Sequence, residues 1–414
     1  MKLSKPIYRF ALFVAVLWMV SLACQPVEEF SDPTEVPAWT EEAEVVQAVK
    51  PTLEEEIELP TLDLQEDEPA ATQMPLPTQQ DPEPVKVDQI IVDYTYTIQL
   101  ITLIYHLYGS LLEDYAIITI TNENTVPVRV VVQTEVMGYT DSAMNTIDIA
   151  AGDTVEVRQN PTLLMEAVDR LNTQKDASFH IRVIYLKEGE ERQILDETQE
   201  IVVYGKRDFP LWLEGFTSQE IFELWSAMVT PNDPAIERLI REAADYNPDG
   251  LMISGYAGIE HDAEWKVWNR LEAIWKAEQE IYQLTYISTW VSFAPGSVQR
   301  IRLPSEVLAQ NSGNCIELAL VYASAAEALG LEAALIAVPG HAFVAIRTDK
   351  VNASYYFIET TLIAESDFST AVEVGGREFE EALPNIELDD PDDSWAWVTI
   401  QEARELGILP VPWQ

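Results

Sequence analysis

Two residues of this chain have the types and setting for nucleophilic chemistry, Cys315 and His341. Cys315 follows a small Ser312-Gly313-Asn314 turn that reads as a helix entry. The apolar run after it, through Ile316, Leu318, Ala319, Leu320, Tyr322, Ala323, Ala326 and Leu329, reads as a buried helix over 312–331. The sulfur then sits at the positive end of the helix dipole. That position favours the thiolate, the form that attacks a carbonyl in acyl transfer. His341 follows Pro339-Gly340 and opens the apolar strand pattern HAFVAI, and an imidazole within reach of the thiol makes a thiolate–imidazolium pair. The plainer reading is a small apolar core cysteine and a turn histidine.

The elements that must hold these residues begin with composition. At 414 residues the chain is long enough for two or three domains. Its net charge of −45, with 25 Lys plus Arg against 70 Asp plus Glu, excludes nucleic acid as a partner, because phosphate binding needs a basic footprint. With only Cys24 and Cys315 present, neither a disulfide framework nor a thiolate metal cluster is expected, and no metal or cofactor is called for.

Cys24 belongs to a leader. Lys2, Lys5 and Arg9 precede an apolar segment, Phe10 to Val20, of signal-peptide length and too short to span a bilayer comfortably. Ser21-Leu22-Ala23-Cys24 resembles the lipobox of bacterial lipoproteins, with Ser21 where a branched apolar residue is usual. The resemblance implies cleavage before Cys24 and acylation of its thiol; ordinary cleavage nearby and an uncut anchor stay open. All three place the body outside the cytoplasm, anchored to the cell membrane in the lipid reading. After the leader (1–23), residues 24–86 are rich in proline and acids and lack apolar periodicity, which predicts an extended, disordered tether.

Residues 87–206 switch to period two. Strand patterns occupy 89–107, 115–122, 128–136, 145–158, 178–186 and 193–205, punctuated by Gly109, Gly138, Gly152-Asp153 and Gly189. They predict an all-β sandwich of immunoglobulin-like or fibronectin-like shape, with a jelly roll as the alternative. His106 and His180 fall inside strand patterns, with no carboxylate or second histidine at ligand spacing, and read as structural.

From 207 onward the pattern is helical, and 207–414 is expected to form an α+β domain. Thr217-x-x-Glu220 is a capping box, and Asp233-Pro234 starts a second helix. In 261–284, Trp268, Leu271, Trp275 and Tyr282 share a face and read as core; His261 just before reads as solvent-facing. Pro304-Ser305 opens a short helix before the cysteine turn. The segment Val372–Gly376 and the tail 388–414, with Trp395, Trp397 and Trp413, either close the fold or cover the site.

The blocks GNCIELALVYASAAEALGLEAALI, PGHAFVAI and YYFIETT resemble the signature blocks of the transglutaminase-like superfamily, relatives of papain-type cysteine enzymes. The resemblance spans roughly Phe216 to Glu387 and is specific from Leu303 to Thr361. It implies that Cys315 is the nucleophile, His341 the general base and Glu359 the orienting acid. The family usually has aspartate where this chain has Glu359, so the strand or the imidazole must shift to accept one more methylene. The acid would fix the tautomer and steady the positive ring. An oxyanion hole is expected from the backbone N–H of Cys315 with Gln310, Asn311 or Asn314. The implied function is a thiol peptidase, amidase or transamidase acting through a thioester on peptide or protein amides of the cell envelope. The alternative is a non-catalytic scaffold or adhesion module binding envelope polymers or proteins.

Overall fold

The computed structural model describes residues 82–187, 190–252, 255–256, 263–288, 297–350, 354–388, 390 and 394–412. The leader with Cys24, the acidic segment as far as 81, His261 and Trp413 lie outside them.

The first part is built of strands β1 (Val85–Val87), β2 (Ile90–Tyr96), β3 (Gln99–Ile101), β4 (Ala116–Asn122), β5 (Val128–Val136), β6 (Ala143–Ile149), β7 (Thr154–Gln159), β8 (Lys175–Lys187) and β9 (Glu190–Tyr204). One sheet is antiparallel in the order β1-β2-β4-β7, and the other runs β3-β9-β8-β5-β6 with only β3–β9 parallel. Alternation does the work: Ile90, Val92 and Tyr94 of β2 and Ile118 and Ile120 of β4 point into a shared core while their neighbours face outward. The inner faces meet where Tyr96 stacks on Phe179, ring centroids 5.4 Å apart.

Several expectations change here. Val85 and Lys86, assigned to the tether, pair in β1 with β2, because Val85 and Val87 alternate as a strand does. The 89–107 pattern ends at Ile101 and continues as a 3-10 turn over Thr102–Leu107. Thr102, Leu103, Ile104 and Leu107 are buried while Tyr105 and His106 are half-buried, a three-then-two spacing that strand alternation does not give. His106 therefore lies in the turn, and its Nε2 meets the Leu409 carbonyl at 2.9 Å. The 145–158 pattern is two strands, β6 and β7, one in each sheet, with the chain crossing between the sheets at Gly152-Asp153. His180 does have carboxylate neighbours: Asp196 Oδ1 lies 2.8 Å from Nε2 and Glu135 Oε1 3.7 Å from Nδ1. Cross-strand register brings them together, with Glu135 directly opposite His180, and no spacing along one strand reveals that.

The first part also holds a short helix, α1 (Met165–Asp169), before β8; the second part contains β10 (Asp208–Pro210), α2 (Ser218–Trp225), α3 (Pro234–Ala243), α4 (Ala263–Glu280), β11 (Thr285–Tyr286) and β12 (Val298–Arg300). It continues with α5 (Pro304–Gln310), β13 (Ser312–Gly313), α6 (Cys315–Ala328), β14 (Ala333–Val338), β15 (His341–Arg347), β16 (Tyr355–Ile358), α7 (Phe368–Ile386), β17 (Ala396–Thr399) and α8 (Ile400–Glu405). The expected starts form: Thr217 and Glu220 bond reciprocally, and Asp233 caps α3 ahead of Pro234.

An antiparallel sheet, β16-β15-β14-β17, carries the site. Both of its faces are covered, so its strands read as unbroken apolar runs. Leu335, Ala337, Ala342, Val344 and Ile346 join the core that contains α6, while Ala334, Ile336, Phe343 and Ala345 pack with Phe379, Ala382 and Ile386 of α7. α6 is buried from Cys315 to Ala326 because helices cover its other side, with Trp275 of α4 against Tyr322. Trp275 and Leu271 are core, as read from the sequence, Trp268 and Tyr282 are partly buried against it, and Trp397 packs on Tyr355 and Phe379. Among the described residues, no helix is long and apolar enough to cross a membrane.

Candidate active site

The entry to α6 is set by local chemistry. Asn314 is extended at the N-cap; its Oδ1 accepts from Glu317 N at 3.0 Å, and Glu317 Oε2 accepts from Asn314 N at 3.0 Å. This reciprocal pair satisfies two of the donors that a helix start leaves without partners. Gly313 precedes it where a Cβ would lie 2.9 Å from Leu318 Cγ and 3.2 Å from Val307 Cγ1, so only glycine lets α5 and α6 close on each other. Glu317, 3 % exposed, also accepts from Arg302: the backbone N at 2.8 Å, Nε at 2.9 Å and Nη2 at 2.6 Å. The result is a clamp on the turn that presents Cys315, the first residue of α6 and 8 % exposed.

His341 is placed by a hairpin. Val338 pairs with His341 across Pro339-Gly340, and Gly340 at φ +78° supplies the left-handed backbone such a tight reversal needs. Alternation along β15 puts His341 on the α7 face with Phe343, whose ring centroid is 6.1 Å away.

Glu359 follows β16 directly and caps the 3-10 turn Thr360–Ala364. Its Oε1 accepts from Thr361 N at 2.8 Å and from the Thr361 hydroxyl; its Oε2 lies 2.6 Å from His341 Nε2. Glu359 thus bonds Thr361 with one oxygen and His341 with the other. With Nε2 engaged by Glu359, the ring's other nitrogen is left for the Cys315 thiol, which is close enough to act on the ring's charge. Cys315 and His341, singled out by type and setting, and Glu359, implied by the resemblance, are therefore brought together in the order thiol, imidazole, carboxylate.

The charges follow from that arrangement. Burial would push the His341 ring down, but its bonds to Cys315 and Glu359 and the negative charge of both outweigh burial, and the ring is pushed up to about 11. Burial would likewise raise Glu359. The hydrogen bond and positive charge of His341, with donors from Thr361, hold it well below the ordinary carboxylate range.

Of the other oxyanion candidates, Asn311 spends its amide donor elsewhere, whereas Gln310 and Asn314 engage their side-chain oxygens. Asn314 Oδ1 caps α6, Asn311 Nδ2 donates to the Tyr282 carbonyl, and Gln310 Oε1 accepts from Arg302 Nη1 at 2.8 Å. The backbone N–H of Cys315 sits at the first helical position, which has no acceptor within the helix. Two features of the site escaped the sequence reading. The clamp was signalled by Asn314-x-x-Glu317, a capping pattern; Glu378 of α7, with Oε2 at 3.7 Å from His341 Nε2, had no local signal.

A family model for the transglutaminase-like superfamily bears on this geometry. Residues 302–361 match it. The transglutaminase-like segment thus begins at Arg302 of the clamp, contains Cys315, His341 and Glu359, ends on Thr361, and stops short of Glu378. No curated protein matches the chain. Among solved structures, a FixG-related protein from Vibrio parahaemolyticus is similar at 13 % identity, covering 29 % of this chain and 99 % of that one, with a TM-score of 0.17. Native alpha-2-macroglobulin from Escherichia coli, from domain MG7 to the C-terminus, is similar at 14 % identity over 48 % of this chain and 34 % of that one, with a TM-score of 0.19. At such scores neither likeness carries an argument.

Proposed function

We propose that this chain is an exported, lipid-anchored thiol acyl-transfer enzyme of transglutaminase-like type, acting on amides of peptides or proteins in the cell envelope. The observation that carries the reading is His341 held 2.6 Å from Glu359, with the Cys315 side chain close enough to act on the same ring. In this reading a leader over 1–23 is removed before an acylated Cys24. A tether then leads to an immunoglobulin- or fibronectin-like sandwich ending near 206, and the remainder is the α+β catalytic domain.

The chemistry uses protein groups throughout. The Cys315 thiolate attacks the amide carbonyl, and the resulting oxyanion is met by the Cys315 N–H at the start of α6. The imidazolium of His341 gives its proton to the leaving nitrogen as the C–N bond breaks, which leaves a thioester and a neutral ring. Water or an amine then attacks the thioester while His341 takes its proton. Collapse releases an acid or a new amide and restores the thiolate–imidazolium pair. Glu359 holds the ring's orientation and stabilises its charge in both halves.

The test is the alkylation rate of Cys315 by iodoacetamide at pH 6, beside amine-incorporation and peptide-hydrolysis assays on the same protein. Cys315 is expected to react faster than in denatured protein, with His341→Ala removing the advantage; a rate equal to that of the denatured chain sinks the enzymatic reading. One observation favours a second reading, a non-catalytic binding module: Cys315 is only 8 % exposed, so a carbonyl reaches it only if its surroundings open. Envelope binding retained by Cys315→Ala, with neither hydrolysis nor amine incorporation by the unaltered protein, would select that one. Anchoring is tested separately, by loss of palmitate incorporation in Cys24→Ala.

A further inference from the structure

We propose that Glu378 is a fourth member of the site, a positioning residue that keeps a proton at neutral pH and directs it at Glu359, holding that carboxylate ionised and aimed at His341. The inference rests on the triad reading and extends it to α7, a helix that the transglutaminase-like segment does not reach.

The geometry starts with how closely α7 lies on β16. A Cβ on Gly375 would fall 2.7 Å from the Phe357 carbonyl carbon and oxygen and 2.9 Å from Glu359 N, so the helix touches the strand end through bare backbone. One turn earlier the Ala371 carbonyl accepts from Glu359 N at 3.1 Å. Ala371, Gly375 and Glu378 share a helical face, and that face delivers the Glu378 carboxyl to the site. Its Oε2 lies 3.7 Å from His341 Nε2, and one ligand atom each from His341, Glu359 and Glu378 all fall within 4.8 Å of one another. This Oε2 is shut off from water and has no hydrogen-bond partner.

Two carboxylates so close do not both ionise readily; one keeps a proton. Glu359 already accepts from His341 and Thr361, which stabilises its charged form, so the proton goes to Glu378. The charges run the same way: burial of the carboxyl end of a side chain that is 37 % exposed overall, then the hydrogen bond and charge of Glu359, raise Glu378 to about 8. The titratable groups facing it are His341 from β15, Glu359 at the end of β16 and Glu381 on α7 itself, with Cys315 beyond the His341 ring. A divalent cation among the three is the competing occupant. The 2.6 Å between His341 Nε2 and Glu359 Oε2 suits a shared proton, whereas two ligands about 2 Å from one ion stand farther apart.

The experiment compares Glu378→Gln, which keeps a donor but cannot ionise, with Glu378→Ala, in two measurements. The first is Cys315 alkylation at pH 6: Gln is expected to match the unaltered protein and Ala to fall about ten-fold, the scale of a small misplacement. The second is the unfolding constant from pH 5 to pH 8. A carboxyl raised in the fold binds its proton more tightly there than in the unfolded chain. Its stabilising contribution is complete below the ordinary carboxyl value and is lost as pH rises towards about 8. The unfolding constant of the unaltered protein relative to Gln should therefore rise at least ten-fold over that range.

A flat ratio, or a Gln variant as slow as Ala, overturns the proposal. So does a change in alkylation rate on dialysis against EDTA, which would put a cation where the proton is placed. Should Ala not fold, the Gln rate and the pH ratio decide alone. If alkylation of the unaltered protein shows no advantage, the triad reading fails, while the pH ratio still reports where the proton resides.

Discussion

Replacing Glu317 by alanine tests what holds the nucleophile in place. The carboxylate is 3 % exposed and accepts from Arg302 N, Nε and Nη2 and from Asn314 N. The Arg302 side chain, 16 % exposed, would be left with its charge largely buried, and two backbone N–H groups would lose their acceptor. Removing one partner of such a pair costs about 3–5 kcal/mol. For a cooperative unit of roughly 150–250 residues, at about 2–4 °C per kcal/mol, that lowers Tm by about 6–20 °C. Glu317→Gln keeps an acceptor without the charge and should lose roughly half as much, since charge-assisted bonds are about twice as strong as neutral ones. The assay is thermal unfolding followed by near-ultraviolet circular dichroism, for which the chain's 11 tryptophans give ample signal. Arg302→Met and the Arg302→Met, Glu317→Gln double variant complete a cycle whose coupling should lie near the top of the about 0.5–3 kcal/mol range for residues in contact. A Tm shift under about 2 °C for Glu317→Ala, or costs that simply add, would show that the clamp does not hold α6.

Adjacent glycines of α7 should respond with opposite signs. Alanine in a helix gains about 1 kcal/mol over glycine, and at Gly376 the added Cβ meets nothing within 4 Å, so Gly376→Ala should raise Tm. At Gly375 the same Cβ strikes the Phe357 carbonyl at 2.7 Å, an overpacking that costs about 1–3 kcal/mol, so Gly375→Ala should lower Tm and slow Cys315 alkylation; equal melting of the two variants would contradict this. Glu278 of α4 is fully enclosed, its Oε1 has no partner, and burial raises its carboxyl well above the ordinary value. The fold then favours the protonated form and loses stability as pH rises above about 4.5, so Glu278→Gln should be the more stable protein in urea, by a margin wider at pH 8 than at pH 5. A margin independent of pH would show that Glu278 is not held protonated.

What the sequence by itself determined are features written in neighbouring residues. The capping pairs at Thr217 and Glu220 and at Asp233 with Pro234 were legible because a helix start is completed within one turn. Alternation over 115–122 and 128–136 located β4 and β5 because a half-buried strand repeats every second residue. Cys315 at a helix entry and His341 after Pro339-Gly340 belong to the same class, and so does the match over 302–361.

Only the tertiary structure decided which groups face one another. Cross-strand register set Asp196 and Glu135 beside His180, and 102–107 folds as a 3-10 turn rather than the strand its apolar run suggests. Glu359 came to bond Thr361 with one oxygen and His341 with the other. Glu378 joined the site because Gly375 lets α7 lie directly on β16. Backbone hydrogen bonding and side-chain periodicity act over a few residues and are visible in a string of letters. The approach of a helix to a sheet is fixed by whole packed faces, and with it the number of carboxyls that share one histidine.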